Sequence, residues 1–149
     1  MGSRLHFLNV GQGDCILIEH ASGRLTVNDI CSGNKVQKSE SALFSESLGV
    51  RGNFQMCNRA TNPNDYLTSL GRNSVFRFIL SHPDMDHMDG LDRMADEFPI
   101  ANFWDSGARK EKPEFNAGAP YLESDWDRYI KIRDGNDGTK VVTPKAGSK

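Results

Sequence analysis

The stretch VFRFILSHPDMDH, residues 75–87, decides how this sequence is interpreted. Residues 75–80 form the most strand-like run in the chain, because aliphatic and aromatic residues dominate it. A polar loop follows at once, apolar residues then recur at helical spacing over residues 91–98, and Pro99 stops the helix. The sequence therefore predicts a strand, a polar loop and a helix, an arrangement in which the loop carries the chemistry.

The polar loop holds four side chains that can ligate a metal within six positions: His82, Asp84, Asp86 and His87. Imidazole and carboxylate ligands suit zinc, manganese and iron alike. In an extended segment the first three would point the same way, and the fourth would join them if the chain turns into the helix. The alternative is a surface turn or a helix cap, which Asp and His also favour.

Charge gives a second reason to expect a metal at this loop. Residues 81–98 contain six acidic side chains and one basic side chain, Arg93. Because they follow a strongly apolar strand, some of these acids should be partly buried. Buried carboxylates without a partner cost several kcal/mol each, and a bound divalent cation removes that cost.

The rest of the chain predicts five further strands and one further helix. The elements are strands over residues 5–10, 15–19, 25–30, 100–104 and 140–143 and a helix over residues 121–131. The first three strands follow one another closely, which predicts an antiparallel meander. Residues 32–73 are weakly patterned and are interpreted as an insertion or flexible segment, partly helical over residues 39–48.

Composition narrows the class of protein. A chain of 149 residues with 37% hydrophobic and 26% charged residues fits one domain with a core. The net charge of -2 gives no global positive field to attract nucleic acid. Three cysteines without a CxxC pair argue against a disulfide framework and favour a reducing cytoplasm. No apolar run approaches the roughly 20 residues of a membrane helix, so no membrane association is expected.

Two motifs resemble one known family. His82-x-Asp84-x-Asp86-His87 resembles the metallo-β-lactamase signature His-x-His-x-Asp-His, with Asp in place of the second His. The phrase LSHPDMDHMDGL, residues 80–91, is closer still to hydrolase domains similar to the competence protein ComEC, which carry this Asp form. The opening FLNVGQGDCILI, residues 7–18, is similar to the start of the same domains. The resemblance covers about residues 5–107, apart from the insertion.

The resemblance implies an α+β fold, the αββα sandwich, with two divalent metal ions, zinc or manganese, at one edge. It implies that His82 and Asp84 contribute to the first metal and that Asp86 and His87 serve the second. Asp86 would also act catalytically, by holding or deprotonating the attacking water. Asp14 and Asp29 resemble residues that orient the metal loop through hydrogen bonds; each could instead be an ordinary polar residue of a turn or strand end.

The resembled family also has a second half, in which a Thr-Gly-Asp-like strand and a His-His-Gly-Ser-like segment supply the remaining ligands. This sequence has four histidines, and none follows His87. We therefore expect residues 1–149 to be the N-terminal portion of one such domain. A missing C-terminal half or a partner chain would complete it, because half a sandwich leaves one apolar sheet face open.

The expected function is metal-dependent hydrolysis of a phosphodiester, most directly DNA, by a cytoplasmic nuclease such as a bacterial defence effector. Arg109, Lys110 and Lys112 could meet phosphate or could be a solvated loop. Two alternatives remain from the sequence. One is a metallo-hydrolase of small esters, thioesters or lactams, and the other is a non-catalytic interaction module that keeps the fold.

Overall fold

One six-stranded sheet organises the molecule, and its strands are neighbours in chain order. The structure is a computed structural model that describes residues 2–32 and 59–145. The strands are β1 (Arg4–Phe7), β2 (Ile16–Glu19), β3 (Leu25–Asn28), β4 (Val75–Leu80), β5 (Ile100–Asp105) and β6 (Lys140–Val142). The helices are α1 (Pro63–Ser69), α2 (Leu91–Glu97) and α3 (Glu123–Arg133), with a 3-10 turn at Met85–His87.

The sheet is antiparallel at one side and parallel at the other. β1, β2 and β3 pair antiparallel, which confirms the predicted meander. β3, β4, β5 and β6 pair parallel, because helical crossovers return the chain to the same edge each time. The molecule is therefore a mixed sheet with three helices over the described residues, compatible with the α+β class. The sandwich that the resemblance implies stays a prediction.

The boundaries differ from the predicted ones where the backbone turns. β3 ends at Asn28 instead of residue 30, because Asp29 adopts a positive φ of 54° that no strand tolerates. β1 ends at Phe7, ahead of a loop with two glycines of positive φ, Gly11 and Gly13. The predicted helices over 91–98 and 121–131 are α2 and α3, the second moved by two residues.

Helix α1 lies inside the segment 32–73 and was not predicted. Asn62 caps it by accepting from the backbone N–H of Asn64, and Pro63 occupies the first turn. Leu67 is fully buried, so this part of the segment belongs to the core. The helix predicted over residues 39–48 lies outside the described residues, and the insertion as a whole stays a prediction.

The helices cover one face of the sheet. Phe78 of β4 stacks on Phe103 of β5 with ring centroids 5.3 Å apart, and Tyr129 of α3 packs on Phe103 at 6.3 Å. Leu17 and Val27 continue this layer into the meander, and both are fully buried. Burial of such side chains stabilises the fold by about 1.5–3 kcal/mol each.

The opposite face carries apolar side chains with less cover. Because side chains alternate along a strand, Ile79 and Trp104 point away from the helices. The guanidinium of Arg77 lies 4.2 Å from the centre of the Trp104 ring. On the edge strand Phe7 is 74% exposed. None of the helices among the described residues has the length and apolar character needed to cross a membrane.

Candidate metal centre

The candidate centre forms where β3 and β4 end side by side. The two strands are parallel, with Asn28 paired to Ile79, so the residues that follow them meet at one edge of the sheet. Asp29 follows β3, and Ser81 and His82 follow β4. The sheet topology thus brings together two segments that are 52 positions apart in the sequence. This edge is where open α/β sheets place their ligands.

Asp29 is the anchor of the loop. It is 2% exposed, and its backbone N–H donates to the carbonyl of Ile79 at 2.9 Å. Its Oδ1 accepts from the backbone N–H of Ser81 at 2.8 Å, and its Oδ2 accepts from the Ser81 hydroxyl at 2.7 Å and from the Asn28 amide at 3.1 Å. A buried carboxylate is therefore satisfied by three donors, and it fixes the start of the polar loop that begins at Ser81.

His87 also faces Asp29. Its Nδ1 is buried and lies 3.2 Å from Oδ2 of Asp29, although the contact is not aligned as a hydrogen bond. The backbone carbonyl of His87 accepts from Ile30 N–H at 3.0 Å, which ties the 3-10 turn to the chain after β3. A carboxylate beside Nδ1 favours the proton on that nitrogen, which leaves the lone pair on Nε2.

His82 is also contacted on its Nδ1 side, by the hydroxyl of Ser81. The Ser81 hydroxyl lies 2.9 Å from Nδ1 of His82 while it donates its hydrogen to Asp29. Since that hydrogen is used, the hydroxyl oxygen accepts, and Nδ1 of His82 is the donor. The rings of His82 and His87 lie 3.9 Å apart between centroids. The same tautomer is therefore favoured in both neighbouring imidazoles, with the lone pair on Nε2.

A carboxylate lies near each of these Nε2 atoms. Oδ2 of Asp84 is 3.9 Å from Nε2 of His82, and Oδ2 of Asp86 is 3.7 Å from Nε2 of His87. The segment is not extended, because turns at Asp84 and over Met85–His87 fold it back on itself. The turns pair each Asp with its neighbouring His instead.

Lys110 reaches the outer carboxylate from the loop after β5. Its Nζ lies 2.6 Å from Oδ1 of Asp84. This hydrogen bond is the main reason that the pKa of Asp84 lies below its usual value, against an opposing effect of burial. Lys110 was one of the cations expected either to meet phosphate or to lie in a solvated loop, and it bonds a predicted metal ligand.

The glycine loop of the first motif packs against the second motif. Gly13 has a φ of 77°, and a Cβ at this position would lie 1.9 Å from the carbonyl oxygen of Asp86. Glycine is therefore required by both conformation and space. Asp14 is exposed, so its orienting role stays a prediction. Next to it, burial raises the pKa of the Cys15 thiol, which keeps that side chain an uncharged core residue.

Two further polar groups border the centre. Asp89 is 3% exposed, and its carboxylate accepts from the Ser32 backbone at 3.1 Å and from the Ser32 hydroxyl at 2.5 Å. This confirms that some acids of residues 81–98 are buried. Burial, followed by the charge of Asp86, raises the pKa of Tyr121 to about 12. The Tyr121 hydroxyl therefore stays protonated near the centre.

The four side chains of the loop are of types that bind divalent metals, but they do not all converge on one point. Two imidazole nitrogens and two carboxylates are a normal ligand set for zinc or manganese. In the described ranges, 2–32 and 59–145, no group of three or more His, Cys, Asp or Glu side chains converges as a metal site requires. Asp84 is the member that bonds elsewhere, to Lys110.

The residues of the loop were predicted from the sequence, whereas the groups that hold them were not. Ser81 links Asp29 to His82, and the only signal for it was a hydroxyl directly before the first His. The effect of the Asp86 charge on the pKa of Tyr121 had no sequence signal, because the two residues are far apart in the chain. Neither a scan against protein-family models nor a search of curated proteins found a match.

Proposed function

We propose that this protein is a metal-dependent hydrolase and that its substrate is a phosphodiester, specifically DNA. One observation carries the proposal: Asp29 and Ser81 hold the Nδ1 side of His82 and His87, so that both Nε2 atoms lie beside carboxylates. Histidines that ligate metals are oriented in this way, through a carboxylate or hydroxyl on the other ring nitrogen.

The proposed roles follow the pairs of the loop. His82 and Asp84 would hold one metal, and Asp86 and His87 would hold the other. Bound metals would supply charge for the developing anion and make water a better nucleophile. Asp86 would position the attacking water through its carboxylate and accept its proton. Asp29 beside His87 and the Ser81 hydroxyl beside His82 favour the tautomer that this role requires.

A phosphodiester is preferred over a small ester because cations border the centre. Lys110 is on the centre itself, and Arg109 next to it bonds Asp105 at 3.1 Å. A phosphodiester keeps its charge throughout hydrolysis and would be attracted by these groups. Esters, thioesters and lactams remain the second substrate class. Cytoplasmic location, a role in bacterial defence and a partner segment or chain all remain predictions.

Metal binding is the first test of the proposal. Calorimetric titration of metal-free protein with Mn2+ and Zn2+ should show binding, and Asp86→Ala and His87→Ala should weaken it by more than tenfold. Matched controls are Asp127→Ala and His20→Ala, which change the same residue types in a surface ion pair and in a contact with Thr26. These controls should bind as the wild type does.

Hydrolysis is the second test. Plasmid DNA and a small aryl ester are incubated with the protein and Mn2+, and products are followed over time. Loss of DNA cleavage in Asp86→Ala and His87→Ala, with retention in both controls, supports the proposal. A wild type that binds neither metal, or variants that cleave as the wild type does, would sink it.

A further inference from the structure

The ion pair between Lys110 and Asp84 joins a cation to a predicted metal ligand. The Lys110 side chain is 51% exposed, and its Nζ approaches Asp84 to 2.6 Å. The same carboxylate is 3.9 Å from Nε2 of His82. The Lys110 ammonium thus occupies one oxygen of Asp84. In the proposed site, Asp84 and His82 would bind the same metal.

The loop that carries Lys110 is anchored beside it. The buried carboxylate of Asp105 accepts from the backbone N–H of Gly107 at 3.0 Å and from the guanidinium of Arg109 at 3.1 Å. Gly107 has a φ of 83°, and a Cβ at this position would lie 2.9 Å from the side chain of Thr143. These contacts tie the segment just before Lys110 to the end of β5, and the Lys110 ammonium reaches Asp84 from this segment.

An ammonium and a metal ion are alternatives at this carboxylate. Both are cations, and Lys110 contacts Oδ1 of Asp84 while Oδ2 is the oxygen that lies near His82. A metal shared by Asp84 and His82 brings a second cation close to the ammonium, and their repulsion disfavours both remaining. The long, flexible lysine side chain can withdraw, while the imidazole is held by Ser81.

We propose that Lys110 is a displaceable counter-cation of Asp84, which neutralises this carboxylate in the metal-free protein and leaves it when a metal binds. The inference rests on the proposed function, since it needs a metal at the loop. Lys110 then sets the metal affinity of the centre without being a ligand. Its released ammonium lies at the edge of the centre, where an anionic substrate would arrive.

Titration with Mn2+ measures the competition directly. Lys110→Met keeps most of the aliphatic stem and removes the charge, so Mn2+ should bind more tightly, by up to about fivefold, the range set by exposed ion pairs. The matched control is Lys112→Met, because Lys112 lies on the same loop and bonds Glu123 and Asp127. This control should leave the Mn2+ affinity unchanged.

Chemical labelling of lysines gives an independent measurement. Reductive methylation followed by mass spectrometry should show that Mn2+ increases the labelling of Lys110 relative to Lys112. In Asp84→Asn, Lys110 should be labelled readily with or without Mn2+. Neither result depends on catalytic activity.

The possible outcomes separate the two proposals. If the wild type binds Mn2+ and Lys110→Met binds it equally or more weakly, the counter-cation inference is overturned and the proposed function stands. If metal leaves the labelling of Lys110 unchanged, the inference is overturned as well. If neither the wild type nor Lys110→Met binds Mn2+ or Zn2+, the proposed function itself fails, and the inference fails with it.

Discussion

The candidate centre has an inner half and an outer half that are built differently. The inner half is Asp29 with His87, whose side chains are 3% and 11% exposed. The outer half is His82 with Asp84, whose side chains are 45% and 39% exposed. Backbone and side-chain hydrogen bonds fix Asp29 of the inner pair, whereas Asp84 of the outer pair bonds the half-exposed Lys110.

Because of this difference, substitutions in the two halves should affect the free energy of unfolding and the metal affinity differently. Groups that are buried and hydrogen-bonded cost free energy when they are removed, because their partners are left without donors or acceptors. Exposed ion pairs contribute little to stability, because water and salt screen them. Substitutions in the inner half should therefore change both the free energy of unfolding and metal affinity. Substitutions in the outer half should change metal affinity alone.

Asp29→Ala should have the largest effect. It leaves the backbone N–H of Ser81 without its acceptor and places alanine at a φ of 54°. We expect a loss of about 3 kcal/mol in the free energy of unfolding, measured in urea, from the lost charge-assisted hydrogen bonds and the left-handed backbone. Metal affinity should fall by about 10- to 100-fold.

Asp29→Asn is the matched variant, because asparagine tolerates the positive φ and keeps one acceptor oxygen. Asp29→Asn should keep more than half of the stability that Asp29→Ala loses. It should still weaken metal binding, since the charge beside His87 is gone. Equal unfolding free energies for the wild type and Asp29→Ala would remove Asp29 as the anchor of the inner half.

Gly13→Ala should be next in size. The new Cβ meets the carbonyl of Asp86 at 1.9 Å, so either the glycine loop or the 3-10 turn must move. We expect a loss of about 2 kcal/mol or more, because backbone strain and a backbone clash add. Gly23→Ala is the control, since Gly23 has a similar φ of 82° and nothing within 4 Å of its Cβ. It should cost about 1 kcal/mol.

The elements of the fold could be predicted to a large extent from the sequence, because alternating and helical apolar patterns are local. β4, α2 and the meander follow directly from them. α1 could not be predicted in this way: only Leu67 of its seven residues is a buried aliphatic, and its cap depends on Asn62. The end of β3 depends on one residue with a left-handed backbone, and its position carries no hydrophobic signal.

The candidate centre could be predicted only in part. The loop from His82 to His87 was found because its ligand types are adjacent in the chain. The contacts that decide its geometry join distant segments, as with Asp29 and Ser81 or Lys110 and Asp84. Such contacts depend on which strands are neighbours in the sheet, and residue spacing does not give this order.

Asp125 is a buried carboxylate that lies outside the candidate centre. It is 2% exposed, its Oδ1 accepts from the Asp92 backbone N–H at 2.8 Å, and its Oδ2 has no hydrogen-bond partner among the described residues. Burial is the main cause that raises its pKa to about 6. The folded state therefore binds a proton more tightly than the unfolded state, and stability falls as the pH rises from about 4 to about 6.

Asp125→Asn should remove this dependence while keeping an oxygen for the Asp92 N–H. At pH 7 the variant should be more stable than the wild type by about 2 kcal/mol, and the two should converge near pH 4. Urea unfolding at pH 4, 5, 6 and 7 measures both curves. A wild type that gains stability from pH 4 to 6, with Asp125→Asn following it, would contradict the assignment.

Asp84→Asn should have the smallest effect on stability and completes the comparison. Asp84 is 39% exposed and its main partner is the half-exposed Lys110, so the free energy of unfolding should change by less than about 0.5 kcal/mol. Mn2+ affinity should nevertheless fall by about tenfold or more, because a neutral amide replaces a charged ligand. Asp96→Asn serves as the control: it also removes an exposed acid, one that bonds Arg128 on α3, and it should leave Mn2+ binding unchanged. If Asp84→Asn destabilises the fold as much as Asp29→Asn does, the outer half is a structural element, and the division between a fixed inner half and a binding outer half is wrong.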